Sequence, residues 1–77
     1  MPSDPLPDWV PARRRQIGDR IRAARTTRRL SQEKLGELVG LDRKTINRIE
    51  LGVHATSIDH LLLIADGLDV PLADLVG

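Results

Sequence analysis

Hydrogen-bond donors are concentrated in one short segment of the chain, residues 41–52, whose sequence is LDRKTINRIELG. If this segment is a helix, a step of about 100° per residue places Ile46 and Ile49 on one face. The opposite face and its flank then carry four long polar side chains: Arg43, Lys44, Asn47 and Arg48. Such a face can donate hydrogen bonds to an acceptor-rich partner while the other face packs on a core.

Residues suited to catalysis or metal binding are absent or scattered. The chain has no Cys, and its two histidines, His54 and His60, are six residues apart, which does not fit the usual metal-ligand spacings. It has neither a Gly-rich phosphate loop nor a set of nucleophile, base and orienting group. The sequence therefore predicts no enzyme, no metal site and no cofactor.

The basic residues are confined to the middle of the chain, although the net charge is only +1. Residues 13–48 hold all 12 Lys and Arg against four acids, whereas residues 1–12 hold two acids and residues 49–77 hold five, neither with a base. The middle is thus about +8. This asymmetry favours a polyanion as partner, although charged runs are also usual on solvated helix faces.

Length and composition predict one soluble domain. A chain of 77 residues without Cys buries only about 60% of its unfolded surface and must be stabilised by apolar packing alone. The longest apolar run, residues 61–65, is far below the roughly 20 residues that a membrane span needs. Because the N-terminus also lacks the features of a signal peptide, we expect a cytoplasmic protein without a membrane partner.

Proline divides the chain into two predicted parts. Four of the five prolines lie in residues 1–11, which favours an extended arm over a helix. Residues 12–77 show helical apolar spacing with breaks near Gly40, at 52–56 and at 67–70, and no alternation typical of strands. The predicted fold class is therefore all-α, a compact domain of five helices that follows an extended N-terminal arm.

The predicted helices have recognisable starts and inward positions. The first, about residues 12–28, has Ile17, Ile21 and Ala24 on one stripe. The expected boundary residues are Ser31, Asp42, Thr56 or Ser57, and Pro71 at helix starts, with Gly52 at the end of the third helix. The expected inward residues of the second and fourth helices are Leu35, Leu38, Val39, Ile58, Leu61, Leu62 and Ile64.

A charged residue is expected on the buried side of the third helix. Glu50 lies within about 60° of Ile46 on the helical wheel, where an unpaired carboxylate would be costly. The same spacing puts Arg25 beside the apolar stripe of the first helix. We therefore predict a largely buried ion pair between Arg25 and Glu50; the alternative is that both are surface charges.

Residues 32–51, QEKLGELVGLDRKTINRIEL, have the pattern of two helices crossing through a short turn. Gly36 and Gly40 supply the small residue and the turn residue that such a crossing needs. The segment closely resembles the helix-turn-helix motif of the phage-repressor type, the Cro-like or Xre-like family of transcription regulators. The resemblance covers about residues 14–76 and implies a lambda-repressor-like DNA-binding domain, although Gly36 stands where Ala is usual.

The resemblance implies roles for individual residues. Arg43, Lys44 and Arg48 match the family's base-reading positions, and Gln32 matches a side chain that grips a phosphate. Arg and Lys can donate to O6 and N7 of guanine, and Asn47 could pair with N6 and N7 of adenine. Further backbone contacts are expected from Ser31 and Thr45, with helix-terminal amides assisting.

The resemblance implies sequence-specific regulation of transcription. We expect the chain to bind double-stranded DNA, to read the major groove with the helix at residues 43–51, and to act as a repressor. Because one helix reads only a few base pairs, we expect a homodimer on an inverted-repeat operator with half-sites roughly 34 Å apart or a multiple of this. The expected dimer contacts are LADLV near the C-terminus and the arm with Trp9.

The same residues are compatible with other functions. An antitoxin or adaptor would also hold a protein partner through the acidic, apolar C-terminal third, while a general nucleoid binder is disfavoured by the low net charge. Trp9 could cover the core, contact a second copy or stack on a base, and Asp4 and Asp8 argue against an arm in the minor groove. The arginines at 13–15, 28 and 29 could contact phosphates or be solvated.

Overall fold

Five α-helices account for most of residues 5–77, the part of the chain that the computed structural model describes. They are α1 (Trp9–Thr27), α2 (Gln32–Val39), α3 (Arg43–Leu51), α4 (Ile58–Leu68) and α5 (Leu72–Val76). No β-strand occurs between residues 5 and 77. The predicted all-α fold with five helices is therefore confirmed.

The first helix begins earlier than the proline pattern predicts. It starts at Trp9 rather than near residue 12, and the Val10 amide already donates to the Pro7 carbonyl at 3.0 Å. Pro11 is tolerated because the amides of a first helical turn have no intrahelical acceptor to lose. The prediction of an extended arm through residue 11 is thus wrong for residues 9–11, and residues 1–4 lie outside the described part.

Three helix starts are capped by the side chains that the sequence indicates. Ser31 accepts from the Lys34 amide at 3.0 Å, and Asp42 accepts from the Thr45 amide at 2.7 Å. Of the two candidates before α4, Ser57 is the cap. Each such cap contributes about 1 kcal/mol, so the boundaries of α2, α3 and α4 are encoded locally.

The core is formed by one stripe from each helix. The side chains with less than 2% exposure are Ile21, Leu35, Ile46, Ile64, Leu68 and Leu75. Three predicted inward residues are instead exposed: Leu38 by 62%, Ile58 by 61% and Leu62 by 50%. An eight-residue helix such as α2 buries only three residues against its neighbours: Leu35, Gly36 and Val39. Helical periodicity alone therefore overestimates the width of the buried stripe.

Trp9 does not cover the core. Its side chain is 68% exposed. Because it belongs to the first turn of α1, it is not part of a flexible arm that could fold back. The interpretation of Trp9 as a plug over the monomer is therefore wrong.

The short helix α5 is held by arginines of α1. Arg13 donates to the Val76 carbonyl at 2.6 Å, and Arg20 donates to the Leu75 carbonyl at 3.5 Å. A cation near the last carbonyls of a helix also interacts favourably with the helix dipole. Arg13, one of the basic residues whose role the sequence left open, thus has a structural partner.

The first and third helices approach at Gly18. A Cβ atom at this position would lie 2.8 Å from the Ile49 carbonyl oxygen and closer still to that of Glu50. No side chain fits between the two backbones, so the contact depends on glycine.

A buried ion pair lies beside that contact. Arg25 Nε is 2.7 Å from Glu50 Oε2, Arg25 Nη2 is 3.0 Å from Glu50 Oε1, and Arg25 Nη1 donates to the Leu30 carbonyl at 2.7 Å. Arg25 is 9% exposed and Glu50 6%. The hydrogen bond with Glu50 raises the pKa of Arg25. The pair therefore joins α1 to α3 with the partners that the helical spacing predicts.

Loss of one partner should be far more harmful than loss of both. Arg25→Met or Glu50→Leu alone leaves an unpaired buried charge, and we expect each to lower the free energy of unfolding by about 3–5 kcal/mol. The double variant should lose much less than the sum. Denaturant titrations measure the free energy of unfolding of the two single variants and of the double variant. Lys34→Met is the control, because the exposed ion pair of Lys34 with Glu37 should contribute at most about 1 kcal/mol. Single variants as stable as wild type would contradict this.

The close approach at Gly18 gives a second stability prediction. Gly18→Ala should lower the free energy of unfolding by about 1–3 kcal/mol, because the methyl group collides with backbone that cannot move aside. Helix propensity alone predicts the opposite sign, a gain of about 1 kcal/mol. The matched control is Ala23→Gly, at an exposed position of α1, which measures propensity without the collision. A stabilised Gly18→Ala variant would refute the contact.

Candidate nucleic-acid interface

The exposed face of α3 carries three cationic side chains: Arg43, Lys44 and Arg48. The opposite face buries Ile46, Ile49 and Glu50 against the rest of the domain. Within residues 5–77, none of the three cations donates a hydrogen bond or joins an ion pair. Their charges and donors are thus available to an external partner.

The turn between α2 and α3 determines how α3 is displayed. A Cβ atom at Gly36 would collide with the Leu41 carbonyl, and the Leu41 amide donates to the Gly36 carbonyl at 2.9 Å. Gly40 completes the turn with a φ of 76°, in the left-handed region that favours glycine. A side chain at position 36 would therefore require the backbone of α2 or of the turn to shift.

The starts of α2 and α3 differ as anion sites. The Ser31 hydroxyl accepts from the Lys34 amide, which leaves its own proton free to donate. The first-turn amides of Gln32 and Glu33 have no intrahelical acceptor. At α3, hydrogen bonds from the hydroxyl and amide of Thr45 lower the pKa of Asp42. A carboxylate therefore already occupies the start of α3, and the start of α2 is the better place for a phosphate.

Gln32 connects the two helices to the ion pair. Its Nε2 donates to Asn47 Oδ1 at 3.1 Å and to Glu50 Oε1 at 3.2 Å. Gln32 and Asn47 are both half-buried. The sequence predicts separate roles for these two residues and does not reveal that they touch. Asn47 and Glu50 are three residues apart and share a side of α3, but only the crossing of α2 brings Gln32 to them.

An open cleft of about 660 Å³ lies beside this network, between α1 and α3. Three arginines from α1 line it, Arg15, Arg22 and Arg25, together with Gln32 and Asn47. Asp19 and Glu50 are its acidic residues. Arg15 and Arg22 of α1 thus line the same cleft as Asn47 of α3, which spacing along one helix could not indicate.

Other kinds of site find no support in the described residues. Between residues 5 and 77, no three or more His, Cys, Asp or Glu side chains are grouped so that they could hold a metal ion. None of the helices in that range combines the length and apolar character needed to cross a membrane.

Comparison with known sequences agrees with this geometry. A family model described as helix-turn-helix matches residues 21–75. Over 57 residues, or 74% of this chain, the sequence is 39% identical to two uncharacterized HTH-type transcriptional regulators, from Sinorhizobium medicae and Rhizobium meliloti. The chain covers 41% of each of these proteins and so spans about two fifths of their length.

Solved structures share the arrangement of helices. The restriction-modification controller protein C.AhdI from Aeromonas hydrophila is similar with a TM-score of 0.80 and 38% identity, over 83% of this chain and 97% of that one. The clp gene regulator ClgR from C. glutamicum has the same fold, with a TM-score of 0.77 and 21% identity over 94% of this chain and 86% of that one. With well over half of its residues matched and its α2–α3 crossing in place, the chain belongs to the helix-turn-helix family, of the Xre-like type.

Proposed function

We propose that this chain recognises a specific double-stranded DNA operator by placing α3 in the major groove. The observation that carries the proposal is a row of three cationic side chains on the exposed face of α3 that have no partner within residues 5–77: Arg43, Lys44 and Arg48. The major groove is wide enough for an α-helix, and each base pair presents a distinct pattern of donors and acceptors there. A rigid helix with free donors is suited to reading that pattern.

The proposed base contacts follow from the chemistry of these side chains. Arg43 and Arg48 can each donate two parallel hydrogen bonds to O6 and N7 of guanine, and Lys44 can donate to either atom. A well-formed bidentate pair discriminates against a wrong base by about 1–3 kcal/mol. Three such residues along one helix support recognition of a few adjacent base pairs.

Contacts to the DNA backbone would hold α3 in register. We assign these to Ser31, Gln32 and Thr45, with the first-turn amides of α2 as the main donors. Support comes from the free proton of Ser31 and from the helix start it caps. These contacts carry no sequence information but determine the position of α3 along the groove.

Repression is the regulatory outcome that we propose. Occupying an operator requires only the α3 surface and enough affinity to exclude other proteins from the same DNA. It requires no catalytic group, and we expect it to take place in the cytoplasm.

A homodimer on an inverted repeat would supply the affinity that one α3 lacks. Two copies related by a twofold axis would read half-sites roughly 34 Å apart or a multiple of this distance. The C-terminal LADLV segment is a weak candidate for the contact because Leu75 is 1% exposed within its own core. Ile58 and Leu62, one turn apart on α4 and at least half exposed, are stronger candidates, and Trp9 remains one.

A second candidate function is an antitoxin or adaptor that also holds another protein. It is favoured by further apolar side chains on the surface: Leu38 is 62% exposed and Leu63 is 45% exposed. Co-purification of a stoichiometric protein from the native host would support the adaptor. Full operator affinity of the isolated chain would support the plain regulator.

Selection of bound duplexes from a random library tests the proposed base reading. The wild-type protein should return a roughly palindromic motif, and Arg48→Ala should lose the preference for guanine at one position of each half-site. The expected cost at that position is about 1–3 kcal/mol. Affinities are compared at two salt concentrations. Loss of a phosphate contact changes how affinity depends on salt, whereas loss of a base contact changes which base is preferred.

The matched control is Arg28→Ala, which removes the same charge from the exposed end of α1. It should weaken all duplexes equally or have no effect. A wild-type selection without any motif, or an Arg48→Ala motif identical to that of wild type, would contradict base reading by α3.

Sedimentation in the ultracentrifuge tests the dimer. Wild type should sediment as a dimer on operator DNA, and Leu62→Glu should weaken both dimerisation and binding to the two-site operator, because a charge would be buried at the contact. Leu38→Glu, a similar change on α2 at a position exposed by 62%, is the control and should leave the dimer intact. A wild-type monomer both free and on operator DNA would refute the proposal.

A further inference from the structure

The orientation of two side-chain amides follows from the buried ion pair. Arg25 donates to both oxygens of Glu50, at 2.7 and 3.0 Å. The Glu50 carboxylate can only accept hydrogen bonds, and it is 6% exposed. Any polar group that approaches it inside the domain must therefore be a donor.

Gln32 is the group that approaches Glu50. One end of its amide lies 3.2 Å from Glu50 Oε1. An amide oxygen at this distance would face a carboxylate oxygen with no proton between them, so chemistry requires that end to be Nε2. The two protons of Gln32 Nε2 are then directed to Glu50 and to Asn47, at 3.2 and 3.1 Å.

The orientation of Asn47 follows in turn. Because the Gln32 nitrogen has only protons to offer, Asn47 must present its oxygen, Oδ1, to α2. Its Nδ2 group is left with two protons, and no acceptor within residues 5–77 takes them. Asn47 therefore has its acceptor engaged and both of its donors free.

We propose that the Arg25–Glu50 pair, acting through Gln32, makes Asn47 a hydrogen-bond donor towards DNA. Its partners are hydrogen-bond acceptors: N7 and O6 of guanine, O4 of thymine, or a phosphate oxygen. The adenine pair needs Oδ1 and Nδ2 to face one base edge together. Adenine is disfavoured because its N6 group would have to share Asn47 Oδ1, which already accepts a hydrogen bond from Gln32 and is held towards α2.

The same network changes the role expected of Gln32. Both protons of the Gln32 side-chain amide are engaged, so this side chain has no donor left for a phosphate. The group left to hold a phosphate is its main-chain amide at the start of α2. Gln32 thus acts as a positioning residue for Asn47. This inference rests on the proposed function only for its contact with DNA, because the orientation belongs to the free protein.

The first test needs no DNA. In the free ¹⁵N-labelled protein, NMR measures exchange of the side-chain amide protons with water, with Asn47→Ala and Gln32→Met identifying the signals. We expect the two Gln32 protons to exchange more slowly than the two Asn47 protons, since only the former are hydrogen-bonded. Slower exchange at Asn47 than at Gln32 would overturn the proposed orientation.

The second test compares duplexes selected by wild type, Asn47→Ala and Gln32→Met. A guanine or thymine preference that disappears in Asn47→Ala would support a base contact. Equally weaker binding to all duplexes would support a phosphate contact instead. In Gln32→Met, which keeps the side-chain volume but frees Asn47, adenine should become acceptable at a base-contact position.

Two results of this selection would overturn the proposal: an adenine preference that depends on Asn47, or Asn47→Ala indistinguishable from wild type. If wild type selects no motif at all, sequence-specific regulation fails, while amide exchange still decides the orientation of Asn47. The two failures are thus distinguishable.

Discussion

The ion pair between Arg25 and Glu50 is the interaction on which both the domain and its surface depend. It joins α1 to α3 where the two backbones meet at Gly18, so it positions the helix that carries the exposed cations. Its cost is the desolvation of two charges, which only good geometry and additional hydrogen bonds offset. Leu30 and Gln32 provide these bonds, and the second one extends the network to the surface.

This arrangement connects stability with recognition. The buried face of α3 supplies Ile46, Ile49 and Glu50 to the core, while the opposite face is left with donors that nothing in residues 5–77 engages. A core variant that rotates α3 would therefore also displace its donors. Side chains placed by packed neighbours lose little freedom on binding, which favours selective contacts over flexible ones.

Local chemistry explains how much of the fold could be predicted from the sequence. Caps such as Ser31 and Asp42 act within one turn, and the stripe of α3 lies within nine residues, so both were predictable. The positions of Leu38 and Trp9 were not, because burial depends on which neighbour covers a side chain and on where α1 begins. For the same reason, Gln32 was predictable as the start of α2 but not as the partner of Asn47 and Glu50.

The most direct test of α3 as the reading element removes single acceptor atoms from DNA. In the selected operator, each guanine is replaced in turn by 7-deazaguanine, which lacks the N7 acceptor of the major groove, and affinities of wild type and Arg48→Ala are measured. The account predicts that at least one replacement per half-site weakens wild type by about tenfold, and that the replacement at the guanine read by Arg48 leaves the affinity of Arg48→Ala unchanged. Wild-type binding indifferent to every replacement would contradict major-groove reading by α3.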